Sequence, residues 1–162
     1  MDIVFGNALG SAKDFTGGGQ QNRLLINDGN GFFDNQTSIR LPNLENLTKK
    51  VVFLDVDEDG DLDIFEANSR HENGSQAPLP GQQNRLLIND GNGFFTDESI
   101  RGLGKRWRLP FRIDNSYSAD FGDVNGDGHL DIIVGNRRGQ NVLLINNGDG
   151  FFIVAPVCSP QK

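Results

Sequence analysis

Residues 19–33 read Gly-Gln-Gln-Asn-Arg-Leu-Leu-Ile-Asn-Asp-Gly-Asn-Gly-Phe-Phe, and residues 81–95 read the same without a change. A third copy, one residue shorter, runs from Gly139 to Phe152. Self-similarity at a fixed period constrains a fold more than any single motif, because each unit must build the same local structure and stack on its neighbour. A second series confirms the register. Leu62-Asp-Ile-Phe-Glu-Ala-Asn68 matches Leu130-Asp-Ile-Ile-Val-Gly-Asn136 and the opening Met1-Asp-Ile-Val-Phe-Gly-Asn7. Asp2, Asp63 and Asp131 therefore occupy one repeat position, 61 and then 68 residues apart.

Within each unit, short apolar runs alternate with Asn-Gly and Asp-Gly turns, which is hairpin chemistry. No stretch holds a 3.6-residue apolar period. The expected first strands are 51–56 and 117–124. Second strands are 62–67 and 130–135, with 3–6 as a truncated counterpart. Third strands are 23–26, 85–88 and 142–145; fourth strands are 32–34, 94–96 and 151–154. The fold class is all-β: antiparallel four-stranded blades of a β-propeller, partial, with fewer than three blades. We divide residues 1–162, a single partial propeller, into repeat units of about 1–50, 51–116 and 117–155, with a tail at 156–162.

The linkers between first and second strands carry the chemistry. Asp55-Val-Asp57-Glu-Asp59-Gly60-Asp61-Leu62-Asp63 has its sister in Asp123-Val-Asn125-Gly-Asp127-Gly128-His129-Leu130-Asp131. Oxygen-bearing side chains recur at loop positions one, three, five and nine, with Gly at six. Ca²⁺ takes six to eight oxygen ligands in flexible geometry, which suits such a curl. An ordinary turn needs one or two acids, whereas the first loop holds five aspartates and a glutamate among nine residues. The expected cofactor is Ca²⁺ at two sites. Asp55, Asp57, Asp59 and Asp63 supply side chains to the first; Asp123, Asn125, Asp127 and Asp131 supply the second. Asp61 and His129 are expected to lend backbone carbonyls. The second site, one carboxylate poorer, should be the weaker.

Residues 55–66 also fit the EF-hand pattern, with Glu66 at position twelve. That motif needs flanking helices, and these flanks are strand-like. The sister loop has Val134 where the bidentate Glu would be.

Composition closes several alternatives. The net charge of −7 argues against general nucleic-acid binding, which needs a basic surface. No apolar run is long enough for a transmembrane helix. The single Cys158 allows no internal disulfide and no Cys-based metal site. The N-terminus lacks the pattern of a signal peptide, so the chain is either cytoplasmic or a piece of a longer secreted protein; the repeats favour the second. No nucleophile–base arrangement emerges, and we expect no enzyme activity.

In an up-and-down meander, alternate loops lie at opposite ends. The Asp-rich loops and the Asn-Asp-Gly-Asn-Gly turns should share one end. The variable loops, 69–80 and the insert 102–108, should share the other, where ligand-binding residues tend to sit. The insert belongs to a basic stretch with Trp107 at its middle. Lys105, Arg106, Trp107 and Arg108 are the candidates for gripping an acidic glycan or a protein carboxylate. Of each Phe-Phe pair after a turn, one is expected to pack between blades and its neighbour to cover an edge.

The units resemble FG-GAP repeats of the VCBS type, as in integrin α-subunit propellers. The residues that carry the resemblance are Phe121-Gly122 ahead of the loop 123–131, the sister loop 55–63, and the repeated Asn-Arg-Leu-Leu-Ile-Asn-Asp-Gly. Phe53-Leu54 departs from the Phe-Gly pair, and Gly6-Asn7, Ala67-Asn68 and Gly135-Asn136 depart from the Gly-Ala-Pro ending. The resemblance implies calcium-dependent blades, an extracellular or cell-envelope setting, and adhesion or glycan recognition. The expected partners are a glycan or protein on the variable face, and neighbouring blades from a longer chain or a homo-oligomer. A propeller attached to a polysaccharide-active enzyme, or a purely structural repeat, are the alternatives.

Overall fold

In a computed structural model of the chain, residues 2–7, 19–69, 81–99, 108–110, 112–137 and 139–155 are described. They form three antiparallel sheets in sequence order. The first contains β1 (Ile3–Phe5), β3 (Arg23–Asn27) and β4 (Phe33–Asn35). The second contains β6 (Thr48–Leu54), β7 (Asp63–Asn68), β9 (Arg85–Asn89) and β10 (Phe95–Asp97), in that spatial order. The third contains β12 (Ser116–Gly122), β13 (Asp131–Asn136), β14 (Val142–Asn146) and β15 (Phe152–Val154). These are the expected blades: among the described residues the second and third have four strands and the first has three. No sheet closes on itself.

Two features go beyond the sequence reading. Short bridges, β2 (Gln20–Gln21) with β5 (Glu45–Asn46) and β8 (Gln82–Gln83) with β11 (Ile113–Asp114), tie each third-strand approach to the connector leaving its blade. A single helical turn, α1 (Thr37–Arg40), follows β4. Four residues are too few to leave a periodic trace in the sequence. Among the described residues no helix is long and apolar enough to cross a membrane.

The core lies between blades. Phe65 and Leu86 of the second sheet meet Ile132, Val134, Leu144 and Phe152 of the third in one buried cluster that includes Leu109 of the connector. Between the first two blades, Leu24 meets Ile64 and Leu87, with Leu41 of the connector among them. Leu41 and Leu109 are buried, and both stand in an Arg-Leu-Pro triplet.

Each blade carries the same polar clamp, built on the Asn that departs from the family ending. The backbone N–H groups of Asn7, Asn68 and Asn136 donate to the side-chain oxygens of Asn22, Asn84 and Asn141. Their side-chain amides donate to the carbonyls of Gln21, Gln83 and Gln140. Of the three only Asn68 is fully buried, and pairing its backbone and side-chain N–H groups fixes the strand exit without leaving an orphan donor.

Candidate metal centre

Register sets the base of each Asp-rich loop. Leu54 pairs with Asp63 and Gly122 with Asp131, so position nine faces the residue before position one. Asp63 and Asp131 are buried, at 1 % and 0 % exposure. Their oxygens are engaged from two sides. Oδ2 accepts from the N–H of Val56 or Val124 at 3.1 and 3.0 Å. Oδ1 accepts from the N–H of Asn89 or Asn146, each at 2.9 Å. Asp2 holds the Asn27 N–H in the same way. The position-nine Asp thus stitches strand two to the turn between strands three and four. Nothing in the loop spacing reveals that duty.

The curl itself follows the repeat. Gly60 and Gly128 have φ of 97° and 94°, a conformation that a side chain would strain. The Gly60 and Gly128 N–H groups donate to the carboxylates of Asp55 and Asp123. Those of Asp61 and His129 donate to Asp59 and Asp127.

Here the loops part. In the first, Asp55, Asp57 and Asp63 present carboxylate oxygens within 4.8 Å of one another. Oxygens at the 2.3–2.6 Å Ca–O distance across one ion lie at most about 5 Å apart. Oδ1 of both Asp55 and Asp57 is buried without a hydrogen-bond partner. Two orphaned carboxylate oxygens facing a third acid fit a divalent cation. Asp59 and Asp61 are not in that group. In the second loop, Asp123 Oδ1 is taken up by the Gly126 and Asp127 N–H groups, and the Asn125 amide donates to Asp127 Oδ2 at 2.8 Å. Asp123, Asn125 and Asp127 close on one another, and His129 turns its ring toward Glu58 of the first loop.

The electrostatics agree. Burial raises the Asp63 carboxyl to about 6, with Asp57 and Asp59 adding to the effect against hydrogen bonds from Asn89 and Val56. Burial also raises Asp57, opposed chiefly by the Arg108 guanidinium. In the second loop Asp127 is lowered, first by the His129 N–H and next by the Asn125 amide. Burial and mutual repulsion disfavour the ionised form of the gathered carboxylates, an effect that a nearby positive charge offsets.

Arg108 corrects the sequence reading. It does not belong to the far face. Its side chain is 15 % exposed and ion-pairs with Asp57 at 3.1 Å and Glu98 at 3.2 Å. It also donates to the Asp149 carbonyl and lies over the Phe151 ring, 5.3 Å from its centroid. Lys105, Arg106 and Trp107 lie outside the described residues, as does most of the loop 69–80. Arg40 shows why Arg108 was misplaced: it donates to the Asn92 carbonyl at 2.6 Å and lies 4.8 Å from the Phe94 centroid. Asn92-Gly-Phe94 and Asp149-Gly-Phe151 are repeat equivalents, so Arg108 is the partner of Arg40. The insert is 101–107, and the Arg-Leu-Pro triplets at 40–42 and 108–110 were the available signal.

The expected sharing of one end holds. The Asn89 side chain donates to the Leu62 carbonyl, and the Asn146 side chain reaches across blades to the Val56 carbonyl at 2.9 Å. Glu66 is no ligand; it lies in β7, buried, accepting from Asn22 of the first blade at 2.7 Å.

A family model described as FG-GAP-like repeat matches residues 1–66, 75–134 and 123–161. No curated protein matches the chain.

Proposed function

The chain belongs to the FG-GAP-like repeat family, and from that we propose a calcium-stiffened, non-catalytic binding module of an extracellular or cell-surface protein. FG-GAP repeats are typical of such proteins. The observation that carries the calcium reading is the pair of buried, partnerless oxygens on Asp55 and Asp57, set against Asp63. An ion there would neutralise three acids and lock the loop to the turns beside it. Asp59 and the Asp61 carbonyl are the further ligands of this site. Asp123, Asn125, Asp127, Asp131 and the His129 carbonyl form a second, weaker one, which must open its internal hydrogen bonds to bind.

Calorimetry should show a tighter and a weaker calcium site, and chelator should lower the melting temperature. Asp55→Asn with Asp57→Asn should abolish the tighter heat and leave the weaker. Absence of heat and of a melting shift would remove calcium from the reading.

Recognition falls to the segments that vary in length between repeats, residues 69–80 and 101–107. Lys105, Arg106 and Trp107 suit an acidic glycan or a protein carboxylate. A glycan array comparing the chain with one lacking residues 101–107 tests this. The deletion spares Arg108, so lost binding would not come from a broken blade contact. Equal binding by both proteins would refute the assignment.

A further inference from the structure

The turn between strands three and four has one sequence in the first two blades, from Asn27 to Phe33 and from Asn89 to Phe95. In the second blade it receives an arginine. Arg40 comes from the preceding connector, donates to the Asn92 carbonyl and covers Phe94. Gly93, at φ 78°, leaves the room: a Cβ there would stand 2.7 Å from Arg40 Nη1. The third blade repeats the arrangement with Arg108, the Asp149 carbonyl, Phe151 and Gly150 at φ 67°. In the first blade no described residue covers the same receptor. A Cβ at Gly31, φ 91°, would meet nothing within 4 Å, and Phe32 is 75 % exposed against 43 % for Phe94.

We propose that the first-blade turn, Asn30-Gly31-Phe32, is a binding site for the arginine of an Arg-Leu-Pro-type connector from another repeat of this kind. The carbonyl of Asn30 would accept from the guanidinium and Phe32 would lie beneath it. The turn is already shaped for this: the Asn30 and Phe32 N–H groups both donate to Asp28, as those of Asn92 and Phe94 do to Asp90. Asp28 is held below the usual carboxylate range, first by the Asn30 N–H, so the turn stays anionic and favours a cation. The arginine is not this chain's own, since Arg40 and Arg108, which head its two Arg-Leu-Pro triplets, are seated on the second and third blades. A guanidinium over an exposed ring, with a hydrogen bond to a carbonyl, fits a weak contact that depends on the rest of a blade interface for strength. The proposal does not depend on calcium.

The probe is a synthetic peptide of residues 34–46, which carries Arg40-Leu-Pro, titrated into the ¹⁵N-labelled full chain. Saturable amide shifts are expected at Gly29, Gly31 and Phe32, with the 91–94 turn unmoved because it is filled. The same peptide with Arg40→Ala should bind about tenfold more weakly, as should Phe32→Ala chain toward the original peptide. Phe32 is exposed, so that variant keeps the fold. In Arg40→Ala chain the 91–94 amides should begin to respond as well. No shift at millimolar peptide, or equal shifts from the arginine-free peptide, would overturn the proposal. So would self-association that Phe32→Ala abolishes, which would make the occupant a second copy.

Discussion

A single carboxylate, Asp63, shows how far one residue's duty exceeds its motif. It closes the loop by register, holds two backbone N–H groups and faces two other acids. Burial raises its pKa to about 6, above the ordinary 3.8. A group whose pKa is higher folded than unfolded leaves the native state binding more protons through that interval, so stability falls as pH rises across it. We therefore expect the chelated protein to lose stability between about pH 4 and pH 6, with Asp57 contributing in the same direction. Saturating calcium should flatten or reverse that slope, because the ion favours the ionised acids. Melting curves across this range, with and without chelator, are the check. Glu58 is a second residue-scale case. It sits at φ 61° where the sister loop has Gly126, a conformation costing a side chain about 1–2 kcal/mol. Its carboxylate meets His129 and raises that ring's pKa. Glu58→Gln should return the His129 titration toward the ordinary imidazole value in a metal-free NMR series. An unchanged titration would mean that the contact is not formed in solution.

Elements here are held by repeated polar stitches as much as by apolar faces. Asn68 is fully buried; it accepts from the Thr48 hydroxyl and donates to the Gln83 carbonyl. Truncating it to Ala would take the acceptor from the Thr48 hydroxyl and a donor from the Gln83 carbonyl, and should cost about 2–3 kcal/mol in denaturant unfolding. A loss under 0.5 kcal/mol would show that water restores those groups. The connectors follow the same logic. Arg108→Ala removes two ion pairs, with Asp57 and Glu98, a carbonyl contact and a ring contact, and leaves Asp57 with less countercharge. It should destabilise the metal-free protein by about 1–2 kcal/mol. It should leave calcium binding as tight or tighter, since a competing cation is gone and the carboxylate remains, whereas Asp57→Asn should weaken it. Calorimetry on both variants distinguishes the two roles. The strands were legible because short β-hairpins with Asn-Gly turns announce themselves. The connectors were not: α1 is one turn long, and the arginine's destination is set by the neighbouring blade.

At the scale of the molecule, three sheets stack with cores between them and no closure. Among the described residues β1 pairs only with β3 and leaves its other edge without a strand partner, and Phe5 in it is 49 % exposed. Such an edge invites another strand. Light scattering should give a mass above 17.8 kDa that rises with concentration, and Phe5→Lys should lower it while Phe32→Ala does not. A monomer at all concentrations would show that the edge is protected.

Sequence by itself determined the repeat register, the all-β blades, the position of every principal strand to within a few residues, and the composition of the Asp-rich loops. These are local properties: pleat alternation, turn chemistry and carboxylate spacing act within a few residues of one another. Only the tertiary structure decided which loop gathers its acids, which end Arg108 serves, and which of two identical turns is covered. Those outcomes depend on burial and countercharge supplied by the next blade. The turns at 27–33 and 89–95 share every residue, yet Phe94 has an arginine above it and Phe32 has none among the described residues, because a neighbour is not written in the segment that receives it.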